Sequence, residues 1–240
     1  MAKVNYFYYY IFAIILIIIT CFVVDFLYRT IYYKNHLELC KESDGFCGIQ
    51  IINISLPDKY MKPLLELSKN EGIRVEIPKK HQKNIPSKTI LENIPEIEEQ
   101  YRLYASIISQ YIGENVKILP KDTKNRMTLV VYEKEGDHID WHFDTNHYDG
   151  RYFTLLIPIT LEATCGNYQY RNVYGVDTDV EIFKGQGILF EGDKVFHRGK
   201  MLCKDQFRVI LSLTFVTNDY MNHWNYTMHK MKEFGIYGTL

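Results

Sequence analysis

Residues 127–144 read MTLVVYEKEGDHIDWHFD, and this stretch decides the architecture. Met127 to Tyr132 is an apolar, β-branched run that predicts a strand. Gly136 marks a turn, and His138 to Phe143 predicts a second strand. Side chains two apart on a strand share a face, so His142 and Asp144 project together while Phe143 points away. An imidazole beside a carboxylate at that spacing is half of a metal site.

The rest of the site is sought downstream. The uncharged run Gly187-Ile188-Leu189-Phe190 predicts a strand, Glu191-Gly192-Asp193 a turn, and a further short strand then delivers His197. Two histidines and one carboxylate form the facial triad that binds non-haem Fe(II) and leaves coordination positions open. Arg208 heads the run Val209 to Val216. An arginine buried in such a strand needs an anion, and a dicarboxylate held by the guanidinium fork would supply one.

Further strands are predicted at Ile49–Leu56, Phe153–Leu161, Val180–Phe183 and Phe207–Thr217, with glycines at 136, 150, 166, 175, 185, 192 and 199 between strands. Many short strands with Gly turns predict a sandwich or barrel. Two helices precede the run. Pro57–Lys69 carries Tyr60, Leu64, Leu65 and Leu67. Pro95–Ile112 carries Ile97, Tyr101, Tyr104, Ala105, Ile108 and Ile112 at helical spacing and stops at Gly113. Lys79–Lys88 is basic and polar and reads as a solvated loop. The fold class is thus mainly β with flanking helices (α+β).

These residues resemble the 2-oxoglutarate- and Fe(II)-dependent dioxygenases, especially their prolyl 4-hydroxylase-like branch. The resemblance runs from Arg126 to Asn218: Tyr132, Gly136, His142-x-Asp144, Gly187-x-Leu189-Phe190, His197-x-Gly199 and Arg208. It implies a double-stranded β-helix (jelly roll), Fe(II) on His142, Asp144 and His197, and 2-oxoglutarate and O2 as co-substrates, with ascorbate keeping the iron reduced. It also implies that Arg208, with Tyr132 or Thr214, holds the far carboxylate of 2-oxoglutarate. Asn146 and Tyr148, close after the His-x-Asp pair, are candidates for the substrate pocket. The chain departs from the prolyl branch in having Cys165-Gly166-Asn167-Tyr168 where Gly-Gly-x-Thr is common, Arg208 in place of Lys, and Lys200-Met201 after His197-Arg198-Gly199. Thr214 stands where the family's nucleic-acid demethylases carry a second arginine.

Composition bounds the rest. The chain has 240 residues and a net charge of −1, too little positive charge for a general nucleic-acid binder. Five cysteines without paired CxxC spacing exclude a structural zinc module of the usual kind. Val4–Val24 is uncharged and nearly all apolar, about 31 Å as a helix, with tyrosines at both ends. It lacks a small-residue cleavage site, so a retained anchor is expected rather than a cleaved signal peptide.

The organisation expected is an anchor at 1–28, a stalk at 29–48 and a dioxygenase domain at 49–240, with its motifs in 126–218. Positive-inside counting slightly favours a cytoplasmic domain. The sequons Asn53-Ile54-Ser55 and Asn225-Tyr226-Thr227, and the spacing of Cys40 and Cys47, favour the ER or Golgi lumen. The function implied is a membrane-anchored hydroxylase of a peptidyl residue such as proline or lysine. Two alternatives stay open: the same iron site acting on a lipid or small metabolite, and a catalytically silent jelly roll that binds a partner.

Overall fold

A computed structural model describes residues 6–39, 48–160, 164–172 and 174–237. A helix, α1 (Tyr6–Leu39), leads into β1 (Ile49–Asn53), α2 (Asp58–Asn70), β2 (Ile73–Ile77) and β3 (Lys80–Ile85). Helices α3 (Ser87–Asn93) and α4 (Ile97–Ile112) follow, then β4 (Lys117–Ile118), β5 (Met127–Tyr132), β6 (His138–His142) and β7 (Tyr152–Pro158). The chain continues through β8 (Tyr168–Arg171), β9 (Asp177–Val180), β10 (Gln186–Glu191), β11 (His197–Gly199), β12 (Arg208–Val216) and α5 (His223–Tyr237).

The strands form one curled, jelly-roll-like sheet ordered β1-β10-β7-β12-β5-β3-β6-β11-β8-β9, with β2 added on β3 and β4 on β12. Neighbours along this path are antiparallel. The curl brings β6 and β11, which carry the predicted metal ligands, over the inner face of β7, β12 and β5. The other face of the larger wall is covered by α2 and α4. Tyr60, Leu64 and Leu67 from α2, and Ile97, Tyr101, Tyr104, Ala105, Ile108 and Ile112 from α4, join Leu129, Val131, Leu155, Leu211 and Leu213 in the main core. The α4 stripe is the one its periodicity predicts. Gly113 ends the helix at φ 73°, a left-handed cap that glycine adopts without strain.

Several expectations need correction. Lys79–Lys88 is not a solvated loop: β3 pairs with β2 on one edge and with β5 and β6 on the other. Its inward residues, Gln82 and Asn84, are buried and polar, so the strand lacks the apolar alternation that reveals strands in sequence. The strand expected at Val180–Phe183 lies earlier, at Asp177–Val180. The elements β2, α3, β8 and α5 lacked a legible pattern altogether. Helix α1 continues to Leu39, through much of the expected stalk. Cys40 and Cys47 lie outside the described residues. Cys165 and Cys203 are joined in a disulfide that ties the entry of β8 to the loop before β12.

Candidate metal centre and co-substrate cleft

His142 ends β6 and His197 opens β11, and the two residues face each other in register. Asp144 follows β6 by two residues. Asp144 Oδ1 lies 3.7 Å from His142 Nε2 and 3.9 Å from His197 Nε2, and the three ligand atoms lie within 4.8 Å of one another. One first-row ion with bonds of about 2.0–2.2 Å can reach all three.

Each ligand is oriented from behind. His142 Nδ1 donates to the Asp140 carbonyl and His197 Nδ1 to the Val195 carbonyl, both at 2.8 Å. A carbonyl only accepts, so the proton sits on Nδ1 and the Nε2 lone pair is left for a metal. Thr154 Oγ1 donates to Asp144 Oδ2 at 2.7 Å, and the Asp144 N–H donates to the Gly192 carbonyl at 2.9 Å. Gly192 is required by proximity: a Cβ there would stand 2.4 Å from Asp144 Oδ2.

Burial pushes His142 down to about 3, helped by the charge of His197, and burial likewise lowers His197. Burial works against the Asp144 carboxylate, yet the two histidines and the Thr154 hydroxyl outweigh it and hold the group below its ordinary value. At neutral pH the set is therefore two neutral imidazoles and one carboxylate, the donor set of a facial Fe(II) site.

The centre opens into a cavity of about 440 Å³ lined by His142, Asp144, His197, Tyr132, Thr154 and Arg208, among others. Arg208 pairs in register with Tyr132, and its guanidinium lies 4.1 Å over the tyrosine ring. Burial lowers Arg208, which Tyr132 counters, and burial raises the Tyr132 phenol. Arg208 Nε and Nη2 are buried without a hydrogen-bond partner. These two nitrogens form one edge of the fork, shaped for a bidentate carboxylate. Gly199 keeps the cleft open: a Cβ there would lie 3.1 Å from Tyr132 Oη and 3.2 Å from Arg208 Nη2. An orphaned buried fork and a cradle that a methyl group would fill both fit 2-oxoglutarate.

The remaining candidates lie elsewhere. Thr214 also lines the cavity, but it stands six residues along β12 from Arg208, about 20 Å of extended strand, and pairs with Thr154 at the metal end. It is not brought to the Arg208 fork. Asn146 bonds the Gly150 carbonyl and Asp193, and its Oδ1 accepts the Tyr148 N–H, so it shapes the loop after Asp144. Tyr148 is buried with Leu119, Tyr152 and Val216, its hydroxyl on Thr123. Neither Asn146 nor Tyr148 lines the cavity. Sequence reasoning passed over Thr154, Gly192, Lys80 and Lys232. Lys80 sat in the presumed loop and Lys232 in the unforeseen α5, and nothing in the sequence ties Thr154 to Asp144.

No protein-family model and no curated protein matches the sequence. Solved structures do match the fold. A prolyl hydroxylase from Trichoplax adhaerens, in complex with a hypoxia-inducible-factor oxygen-degradation-domain peptide, superposes with TM-score 0.54 at 15% identity, covering 81% of this chain and 93% of its own. An oxidoreductase of the 2OG-Fe(II) oxygenase family from Burkholderia pseudomallei gives 0.57 at 11% identity, covering 80% and 94%. HygX from Streptomyces hygroscopicus, with nickel and 2-oxoglutarate bound, gives 0.54 at 10% identity, covering 73% and 85%. By architecture, the chain has the fold of the 2-oxoglutarate- and Fe(II)-dependent oxygenases.

Proposed function

We propose that this protein is a membrane-anchored Fe(II)- and 2-oxoglutarate-dependent dioxygenase that hydroxylates a peptidyl residue such as proline or lysine. The observation that carries the oxygenase reading is the His142, Asp144, His197 donor set sharing one cavity with the unpartnered edge of Arg208. Iron with 2-oxoglutarate, held by these residues, would supply the oxidising chemistry: one oxygen atom of O2 would go to succinate with loss of CO2 and the other to the substrate C–H bond. The chain does the rest. His142 and His197 present their Nε2 atoms, held by backbone carbonyls. Asp144 supplies the one negative ligand, held by Thr154. Arg208 and Tyr132 bind and orient the far carboxylate of the co-substrate, and the curled sheet limits water access.

The peptidyl reading is supported by the likeness to the Trichoplax enzyme with its peptide. The anchor reading is supported by Phe7–Asp25, whose mean hydropathy is 2.6 and which is wholly unburied. Beside its end, Trp224 Nε1 donates to Asp25 Oδ1 at 3.3 Å, with Tyr220 and Tyr226 exposed nearby in sequence, as at a membrane interface. The Cys165–Cys203 disulfide and the sequon at the exposed Asn53 support a lumenal domain.

The test uses the full chain in detergent, loaded with Fe(II) and labelled 2-oxoglutarate in air. Succinate and CO2 should form in wild type and disappear in His197→Ala, whereas Arg208→Ala should raise the 2-oxoglutarate requirement at least tenfold. Turnover that persists in His197→Ala would sink the oxygenase reading. Mass spectrometry of peptide pools then looks for a 16 Da gain on proline or lysine. Activity confined to lipid or small-molecule extracts would replace the peptidyl reading.

A further inference from the structure

We propose that α5 is an interfacial helix: its outer face lies on the bilayer that α1 enters, and a phospholipid surface is the partner it fits. This rests on the anchor reading above and goes beyond it, since it gives the folded domain a membrane contact of its own. Helix α5 has its polarity reversed for a helix facing water. Trp224, Thr227, Met231 and Phe234 stand at i, i+3, i+7 and i+10 and so share one face. Trp224, Met231 and Phe234 are 45%, 38% and 52% exposed. The charged side chains lie on the protein side. Glu233 is buried, accepts the Lys124 N–H at 2.5 Å and lies 3.4 Å from His229 Nε2. Lys230 is half-buried and donates to Asp122 Oδ2 at 3.1 Å, and the half-buried Lys232 lines the cavity. Among the described residues of α5, no Asp, Glu, Lys or Arg is exposed. A helix packed on a domain in water ordinarily turns its apolar stripe inward and its charges out.

The stripe begins beside the end of the apolar span. Phe7–Asp25 closes at Asp25, and Trp224 Nε1 donates to Asp25 Oδ1 at 3.3 Å. With α1 spanning, that contact sets the start of α5 at the level of the headgroups, where tryptophan is favoured because its ring is apolar and its N–H polar. Tyr220, 60% exposed, lies just before the helix. From there α5 runs 15 residues, about 22 Å. Lying flat, it would bury Met231 and Phe234 among the upper acyl chains and keep Lys230 and Glu233 on the protein side. Lipid is the occupant that the anchor itself brings to this face. Because Lys232 on the inner side lines the cavity, one helix diameter, about 10–12 Å, would separate that wall of the cavity from the lipid.

The full chain is reconstituted into phosphatidylcholine vesicles, plain or brominated in the upper acyl chains, and flotation first reads the anchor. A wild-type chain that does not float overturns the anchor reading and this one with it. Tryptophan emission then reads α5 alone. The chain has two tryptophans, Trp141 and Trp224, so Trp141→Phe leaves Trp224 as the one emitter. Bromine should quench it about twofold or more, as for a ring at the acyl-chain boundary. Adding Phe234→Trp places a second emitter ten residues on, about 15 Å along the axis. If α5 lies flat, the quenched fraction should stay the same. Met231→Glu in that variant should lower the quenched fraction while the chain still floats. The substituted side chains at 231 and 234 are exposed, so the fold does not depend on them. A floating chain whose Trp224 is unquenched would overturn the proposal and leave the anchor standing. So would a quenched fraction that falls towards half on adding Phe234→Trp, because α5 would then touch the bilayer only at its start. If the unquenched part is blue-shifted, a second copy covers the stripe in place of lipid. Quenching indifferent to Met231→Glu would overturn the proposal as well.

Discussion

At the residue scale, the proposed metal centre rests on groups outside its donor set. Asp144 is aimed by Thr154 and given room by Gly192. Thr154→Val removes a 2.7 Å hydrogen bond to the ligand oxygen while keeping side-chain shape. It should weaken metal binding by about ten- to a hundredfold, read by titration with Fe(II) or Co(II), with little change in the melting temperature of the metal-free chain. Gly192→Ala brings a methyl group against the carboxylate and should cost at least as much affinity. Wild-type metal affinity in Gly192→Ala would show that Asp144 does not bind in the orientation described. The histidines also set a pH dependence. Both are held neutral by burial, His142 down to about 3, whereas in the unfolded chain each takes a proton near pH 6.5. The unfolded state therefore binds more protons as pH falls below about 6.5, and the metal-free fold should lose stability from there downward. Melting curves between pH 7.5 and 5 should show the loss, and the double variant His142→Gln, His197→Gln should flatten it.

At the element scale, two attachments hold the cavity walls. The β5–β6 turn is pinned by Asp137, buried and bonded to Arg74 of β2 and to the N–H groups of Glu133 and Lys134. Burial opposes the Asp137 charge, but Arg74 and the two N–H groups hold the carboxyl below its ordinary value. Asp137→Ala leaves Arg74 half-buried without its main partner and frees the turn that leads into His142. It should destabilise the fold by about 3 kcal/mol in denaturant titration. On the outer face, Ile108 of α4 is fully buried against the sheet, and Ile108→Ala should cost about 2–5 kcal/mol by the same measurement. The helix was legible because one apolar stripe faces one core. Strand β3 was not, because its inner residues face a polar cavity instead of that core.

At the scale of the whole molecule, the chain joins an unburied apolar helix to a curled sheet with its site inside. The proposed anchor predicts that the double variant Ile15→Arg, Ile18→Arg is released from membranes on alkaline extraction, since each charge at the centre of a span costs about 2.5–3.5 kcal/mol. The proposed lumenal side predicts a glycan on Asn53, seen as an endoglycosidase-sensitive mass shift that Asn53→Gln removes. A chain whose mass is unchanged by the enzyme would favour the cytoplasmic side.

The sequence alone determined what is local. Apolar, β-branched runs placed β5 and β12, a turn glycine and the residues after it placed β6, and a helical period placed α4; the strand period put His142 and Asp144 on one face. The type of ligand set and the anion-seeking character of Arg208 are also properties of residue chemistry. Tertiary structure decided what depends on distant segments meeting. It paired His197 with His142, set Tyr132 beside Arg208 and carried Thr214 away from that fork. It turned Asn146 and Tyr148 to loop and core, and brought Lys80 and Lys232 from separate elements to one cavity. Such meetings are fixed by strand order and sheet curl, which arise from contacts far apart in the chain and leave no periodic trace in it.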